Sequence, residues 1–177
     1  MPGINAGDAA YKRGAYATAL FEWRPLAEQG NAKAQYNLGL MYRKGQGVPQ
    51  DDAEGVGWWC KAAEQGDAAA QNNLGVMYKM GLGVPQDYAE AVRWWRKAAE
   101  QDHANAQYNL GLMYKNGLGV PQDEAQGYMW FKLASSTFPP GEDRDQSVKN
   151  RGIVSERMTP AQIFEAQKLA WEWKPKK

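Results

Sequence analysis

Three glycine-rich loops are the first candidates for chemistry in this chain, because a Gly-x-Gly segment can wrap its backbone around a phosphate group. The loop "GQGVPQD" occupies Gly45–Asp51, and "GLGVPQD" occurs at Gly81–Asp87 and Gly117–Asp123. A dinucleotide-binding loop also needs a third glycine, a preceding strand and a later acidic residue, whereas a P-loop needs Gly-Lys-Ser or Gly-Lys-Thr. The chain shows neither pattern, so we interpret the loops as turns between helices and expect no nucleotide or other cofactor.

In this interpretation each loop joins the end of one helix to the start of the next. The first glycine of each loop ends a helix in a left-handed conformation, and the third residue, also glycine, takes a second unusual backbone conformation. The aspartate that closes the loop caps the following helix. The glycines that end a helix are Gly45, Gly81 and Gly117, and the capping aspartates are Asp51, Asp87 and Asp123.

The chain has one histidine, His103, and one cysteine, Cys60. One histidine and one cysteine cannot form a conventional zinc site, and no partner that would activate a nucleophile is identifiable beside either residue. His103 occupies the repeat position that Asn31 and Asp67 hold elsewhere, so we expect it to cap a helix. We therefore predict no catalytic residue, no metal site and no enzyme, and a hydrolase would need a site that the sequence does not mark.

Composition narrows the class of protein and of partner. The 177 residues include 21 Lys and Arg against 20 Asp and Glu, and this near-neutral balance gives no reason to expect a nucleic-acid partner. No apolar run is long enough to cross a membrane, so we expect no membrane insertion.

The N-terminus lacks the apolar core of a signal peptide. We expect a periplasmic or secreted protein if a signal peptide has been removed, and a cytoplasmic protein otherwise.

The loops mark an internal repeat of 36 residues, and repeats of this length are typical of solenoids. Each copy is predicted to contain a helix A, whose apolar residues recur at helical spacing, and a helix B of about 14 residues after the loop. Because neither helix can bury its apolar face alone, the copies must stack. We predict three repeats at 32–67, 68–103 and 104–135, with helix A at Ala32–Lys44, Ala68–Met80 and Ala104–Asn116, preceded by a short related unit at 11–31.

In each copy a glycine within helix A is matched by a large aromatic residue in helix B. Glycine recurs within helix A at Gly39, Gly75 and Gly111, where it costs roughly 1 kcal/mol against alanine. Helix B carries an aromatic residue at one recurring position, as Trp59, Trp95 and Phe131. We expect the glycines to allow close packing against these rings.

The chain departs from the repeat after Phe131. We expect a loop over Ser135–Asp145, a helix interrupted at Gly152, and a final helix with a capping box of Thr159 and Gln162. Residues 146–174 would then cap the last repeat. Two readings stay open for Phe164 and Trp171: packing in the core, which we favour, or an exposed partner site.

Together "A-x-A-Q-x-x-L-G-x-M-Y", "G-x-G-V-P-Q-D" and "A-x-x-W-W-x-K-A-A-E-Q-G" resemble the Sel-1-like repeat family, a branch of the tetratricopeptide-like helical repeats. The resemblance covers about 11–135. It implies an all-α fold, a right-handed α/α superhelix (solenoid), and a role in protein interaction. The length of 177 residues favours a single domain over 1–177. The resemblance implies no shared catalytic residue.

In tetratricopeptide-like folds the helix A faces line a concave groove, and the resemblance assigns six groove residues to this chain. They are Tyr36, Arg43, Asn72, Lys79, Tyr108 and Lys115. A basic row beside a Tyr/Asn row suits an extended peptide with acidic residues or a free carboxylate, although a merely solvated face would have the same composition. The recurring Asn37, Asn73 and Asn109 are expected to bond backbone between helices, with carboxylate binding as the alternative.

These residues favour a monomeric scaffold or adaptor that binds a protein or an extended peptide on its concave helix A face. The alternative is a bacterial envelope protein that binds peptidoglycan or glycan fragments, because the faces of Tyr and Trp suit sugars. A pocket walled by aromatic side chains would favour this alternative.

We predict that Trp95→Ala lowers the melting temperature markedly, because truncating a buried tryptophan costs about 3–5 kcal/mol. Thermal unfolding followed by circular dichroism measures the effect. An unchanged melting temperature would place Trp95 outside the core.

Overall fold

A computed structural model describes residues 3–176 of the chain, and this part is all-helical, with ten α-helices and no strand. The helices are α1 (Ile4–Lys12), α2 (Tyr16–Glu28), α3 (Ala32–Lys44), α4 (Asp52–Glu64), α5 (Ala68–Met80), α6 (Tyr88–Ala99), α7 (Ala104–Asn116), α8 (Glu124–Thr137), α9 (Glu142–Ser155) and α10 (Pro160–Glu172). The predicted bounds of helix A are those of α3, α5 and α7. Helix B of the three repeats corresponds to α4, α6 and α8.

The chain divides into two compact units, one up to Gln86 and one from Asp87 onwards. In the first unit, which holds α1 to α5, each helix packs against the next along the chain. In the second unit α6 packs on α7, α7 on α8, and both α9 and α10 pack on α8. The single domain over 1–177 stays a prediction.

The glycine-rich loops have the predicted turn geometry. Gly45 ends α3 with φ 65°, in the left-handed region, and the Asp51 side chain accepts a hydrogen bond from the Glu54 N–H at the start of α4. Gly47 and its two counterparts also have positive φ. At Gly83 a side chain would collide with the backbone at Asp52, so the loop lies directly on the first turn of α4. The loops therefore fix helix ends and helix packing.

A ring seated on a glycine joins helix A to helix B. A Cβ added to Gly39 would lie within 3.0 Å of the Trp59 indole, which fills the space above the glycine. The Trp59 indole N–H donates to the carbonyl oxygen of Tyr36, 3.1 Å away and three residues before the glycine. In the second unit a Cβ on Gly111 would lie 2.6 Å from the Phe131 ring. The predicted role of these glycines in close packing is confirmed at both positions.

The first two helices repeat this arrangement. Trp23 of α2 fills the space above Gly7 of α1, and its indole N–H donates to the carbonyl of Ile4 at 3.3 Å. The N-terminal helix pair therefore begins at Ile4, upstream of the segment 11–31 that carried the sequence signal. It packs like a full repeat although its connecting loop is shorter.

The C-terminal part differs from the sequence prediction in two places. The loop expected over Ser135–Asp145 is restricted to four residues, because α8 continues to Thr137 and α9 begins at Glu142. The hydroxyls of Ser135 and Thr137 donate to carbonyls one turn earlier within α8, and acidic residues in the first turn of α9 favour its N-terminus. The expected interruption at Gly152 is also wrong, since α9 runs through this residue.

The final helix has the predicted capping box, but its aromatic residues are exposed. Phe164 is 65% exposed and Trp171 is 87% exposed, so the expectation that they pack in the core is wrong. α10 instead buries Ala166 and Ala170, which lie one turn apart on the opposite side of the helix. Small side chains on that side allow α10 to pack on α8 and leave the two rings outside.

We predict that Gly39→Ala destabilises the protein by about 1–3 kcal/mol, because the new methyl group needs the space that Trp59 fills. Gly57→Ala in α4 is the matched control: Gly57 is exposed, and an added Cβ would meet nothing within 4 Å. There alanine should stabilise the helix by about 0.5–1 kcal/mol. Urea unfolding of both variants measures the difference, and two shifts of the same sign would contradict the ring-on-glycine contact.

Candidate functional site

The six predicted groove residues lie on helix A of the three repeats, and all of them are partly buried. Tyr36 and Arg43 belong to α3 and Asn72 and Lys79 to α5, all in the first unit. Tyr108 and Lys115 belong to α7 in the second unit.

Tyr36 links two successive A helices of the first unit. Its side chain hydrogen-bonds with Asn73 of α5, while its carbonyl accepts the Trp59 indole N–H. Burial raises the pKa of the Tyr36 hydroxyl above its ordinary value of 10.0, and the hydrogen bond with Asn73 opposes part of that rise. Tyr36 is therefore a neutral hydrogen-bonding group at physiological pH and has no acid–base role there.

The recurring asparagines contact side chains of the neighbouring A helix. Asn37 donates to the carboxylate of Asp8 in α1 at 3.3 Å, and Lys33 forms an ion pair with the same carboxylate. Asn73 pairs with Tyr36 in the same manner. The expectation that these asparagines bond backbone is wrong for Asn37, whose amide bonds a side chain.

Arg43 faces the start of helix B. Its guanidinium lies 3.4 Å from the Asp52 carboxylate, at the first residue of α4. Both side chains are partly exposed, and a pair of this kind contributes less than about 1 kcal/mol. The charge of Arg43 is thus largely balanced within its own repeat.

Lys79 lies beside two exposed apolar side chains of α5. Val76 is 37% exposed and Met80 is 57% exposed. The three residues share one side of the helix, because positions three and four apart are neighbours on a helical surface. We call Val76, Lys79 and Met80 the α5 patch. It combines a cation with apolar surface that the described part of the chain leaves open to solvent.

The chain itself covers the equivalent surface of α7. The amide of Asn150 in α9 donates to the Tyr108 hydroxyl at 3.1 Å, and its oxygen accepts from the Lys115 ammonium at 2.9 Å. Asn150 is only 4% exposed. Leu112, the repeat equivalent of Val76, packs against the core cluster that contains Val154 of α9. Tyr108 and Lys115 are therefore brought together by an asparagine that sequence reasoning missed.

Burial also raises the pKa of Tyr108 above its ordinary value, while hydrogen bonds with Asn150 and Gln146 lower it. A small cavity of about 270 Å³ lies beside this tyrosine, between α7 and the first turn of α9. Its polar lining includes Asn105, Asn109 and Asp143. In the second unit, helix A thus anchors another helix of the same chain.

The remaining candidates for chemistry have structural roles. His103 caps α7, since its ring accepts from the Ala106 N–H at 3.4 Å. Cys60 is partly buried in α4. Within residues 3–176 no group of three or more His, Cys, Asp or Glu is placed to hold a metal ion. None of the described helices is long and apolar enough to span a membrane.

The family comparison decides what kind of repeat this is. The family model described as Sel1 repeat matches residues 32–67, 68–103 and 104–136, in the register that the glycine-rich loops predict. The chain belongs to the Sel1 repeat family. The predicted all-α solenoid of consecutive helix pairs is therefore confirmed.

Two solved Sel1-type structures are similar to this Sel1 repeat protein. A Sel1 repeat protein from Oxalobacter formigenes is 30% identical, with a TM-score of 0.75 over 95% of this chain and 74% of its own. The protein c5321, a protective antigen of uropathogenic Escherichia coli that displays an SLR fold, is 32% identical, with a TM-score of 0.55. That match covers 94% of this chain and 44% of c5321.

A comparison with curated proteins finds no match. Both organisms with similar structures are bacteria. Sel1 repeat proteins are generally scaffolds for protein–protein interaction and are typically non-catalytic.

We predict that Asn150→Ala loosens α9 from α7, because the change removes both hydrogen bonds and leaves the half-buried Tyr108 hydroxyl and Lys115 ammonium unpaired. The expected loss is about 1–3 kcal/mol of unfolding free energy, with faster amide exchange in α9. Lys149→Ala is the control, since Lys149 is an exposed neighbour in the same helix. Equal exchange rates in the two variants would contradict the anchoring role of Asn150.

Proposed function

We propose that this Sel1 repeat protein is a non-catalytic, monomeric scaffold that binds an extended protein segment on the helix A face of its first unit. The observation that carries the proposal is the α5 patch. Val76 and Met80 are apolar and exposed, whereas the α7 equivalents of Val76 and Lys79 pack against or bond to residues of α9. Exposed apolar surface next to a cation is typical of an interaction site.

The contact between α9 and α7 indicates the chemistry of a suitable partner. In the second unit an apolar side chain packs near Leu112 while a side-chain oxygen accepts from Lys115. Lys79 occupies the equivalent position beside Val76. A partner segment therefore needs an apolar residue for Val76 and Met80 and an oxygen acceptor for Lys79.

A carboxylate suits Lys79 better than an amide oxygen does. An amide oxygen can only accept a hydrogen bond from the Lys79 ammonium, whereas a carboxylate accepts the same bond and is also attracted by the opposite charge. The ammonium of Lys79 is on a partly buried side chain, where salt screens a charge less than it does on an open surface. We infer that acidic residues next to apolar ones define the preferred partner segment.

The remaining groove residues have supporting roles in this proposal. Tyr36 and Asn72 lie on the A helices of the first unit, and Asp52 largely balances the charge of Arg43. Tyr108 and Lys115 hold α9 and do not contact the partner while α9 is in place. Binding, and not bond chemistry, is thus the function that these side chains support.

The proposal predicts that Lys79→Glu weakens binding of an acidic, apolar peptide at least fivefold. The probe is a fluorescein-labelled peptide of alternating Glu and Leu, with a matching peptide of alternating Lys and Leu. Fluorescence anisotropy at two salt concentrations gives both affinities. Lys79 is preferred to Arg43, because Arg43→Glu would also place a second carboxylate beside Asp52 and disturb the fold.

Lys149→Glu, an equal charge change on the exposed side of α9, should leave binding unchanged. Val76→Ser should lower the affinity for both peptides, because it removes apolar contact without changing the charge. If Lys79→Glu and Lys149→Glu alter the affinity equally, the peptide senses net charge alone and the α5 patch is not the site.

A further inference from the structure

The second unit contains a cavity of about 420 Å³ that the helix A face does not use. It is lined by residues of α6, α7, α8 and α10 and by the residues that follow α10. Its floor is apolar, with Met129 and Leu169, and two tryptophans, Trp130 and Trp173, line it. A cavity of this size, mostly apolar with a few polar groups, is typical of a small-ligand site.

The C-terminal segment closes one side of the cavity and is held at both ends. The Trp173 ring packs edge-on against Trp130, with ring centres 4.9 Å apart. Lys176 donates its backbone N–H to the carbonyl oxygen of Glu100 at 2.6 Å, and its ammonium lies 2.9 Å from the Glu100 carboxylate. The segment is therefore anchored on α6 and α8, and the space beneath it is left unfilled by side chains.

Both indole N–H groups in the cavity wall are buried and make no hydrogen bond within the described residues. Trp130 is itself only 3% exposed. By contrast, Trp23 and Trp59 each donate the indole N–H to a backbone carbonyl. Trp94 also has an unpaired N–H but does not line this cavity. A buried donor without a partner is unfavourable, so an oxygen acceptor bound to it would be favourable.

The charged groups around the cavity have both signs. Arg96 and Lys174 are cationic, whereas Glu100 and Glu172 are anionic. An anion would meet two carboxylates and a cation would meet two basic groups, so neither sign is favoured. Hydroxyl groups can donate to the carboxylates and accept from the indole and basic N–H groups.

We propose that this cavity binds a neutral oligosaccharide. The apolar C–H face of a sugar ring would pack on the indole rings, and its hydroxyl or acetamido oxygens would accept from the N–H groups of Trp130 and Trp173. The inference is independent of the peptide site, because all residues of the cavity belong to the second unit and the α5 patch belongs to the first.

Isothermal titration calorimetry of the full chain with the fully N-acetylated sugar triacetylchitotriose and with cellotriose tests the proposal. We expect saturable binding of at least one of the two neutral sugars. Trp173→Phe and Trp130→Phe each keep an aromatic ring but remove the N–H donor, and each should weaken binding at least tenfold. Trp171→Phe is the matched control, because Trp171 is 87% exposed and lies outside the cavity.

Melting temperatures show which variants are folded, and Trp173→Phe carries the test if Trp130→Phe unfolds. Absence of saturable heat with both sugars would overturn the proposal, as would an equal loss of affinity in Trp171→Phe and Trp173→Phe. Lys79→Glu should bind the sugar like the unmodified chain. A failure of the peptide experiment with intact sugar binding therefore removes the scaffold proposal alone, and the reverse result removes this one.

Discussion

The contact between an aromatic ring and a helix glycine is the constraint on which the rest of the structure depends. Gly7 and Gly39 each accept an indole ring where a side chain would otherwise stand, and the indole N–H bonds to the carbonyl three residues earlier. The contact fixes both the separation and the rotation of helix A against helix B. One side of helix A therefore packs against helix B of its own repeat. Polar residues elsewhere on helix A can bond to the next A helix, as Tyr36 does with Asn73.

The repeated part of the fold could be predicted closely because its signals are local. Capping aspartates, left-handed glycines and a helical apolar pattern lie within a few residues of the helix ends that they determine. The C-terminal part has no repeat to fix its register. There the packing partner decides which face of a helix is buried, and α8 receives the alanines of α10 while Phe164 and Trp171 stay exposed.

The candidate site was predictable in register but not in accessibility. The repeat correctly aligned Tyr108 with Tyr36 and Lys115 with Lys79. It could not show that Asn150, far along the chain, would bind both residues of α7. The cavity beside Trp130 could not be predicted for the same reason, because Trp173 and Glu100 come to line one cavity only in the folded chain. The repeat register therefore aligns the helix A residues, and tertiary contacts decide which of them stay exposed.

The similarity of the repeats also has a consequence for how the chain reaches its native state. Because the copies share one pattern, an indole from one copy has the shape to fit the glycine of another, and incorrect helix pairings compete with the native one. Short connections favour the correct pairing, because closing a short loop costs less entropy than joining distant copies. Phe131 also disfavours incorrect pairing, because its phenyl ring has no N–H to donate to the carbonyl that an indole would bond. Divergence between copies thus limits misfolding by exchange of helices, within one chain and between chains.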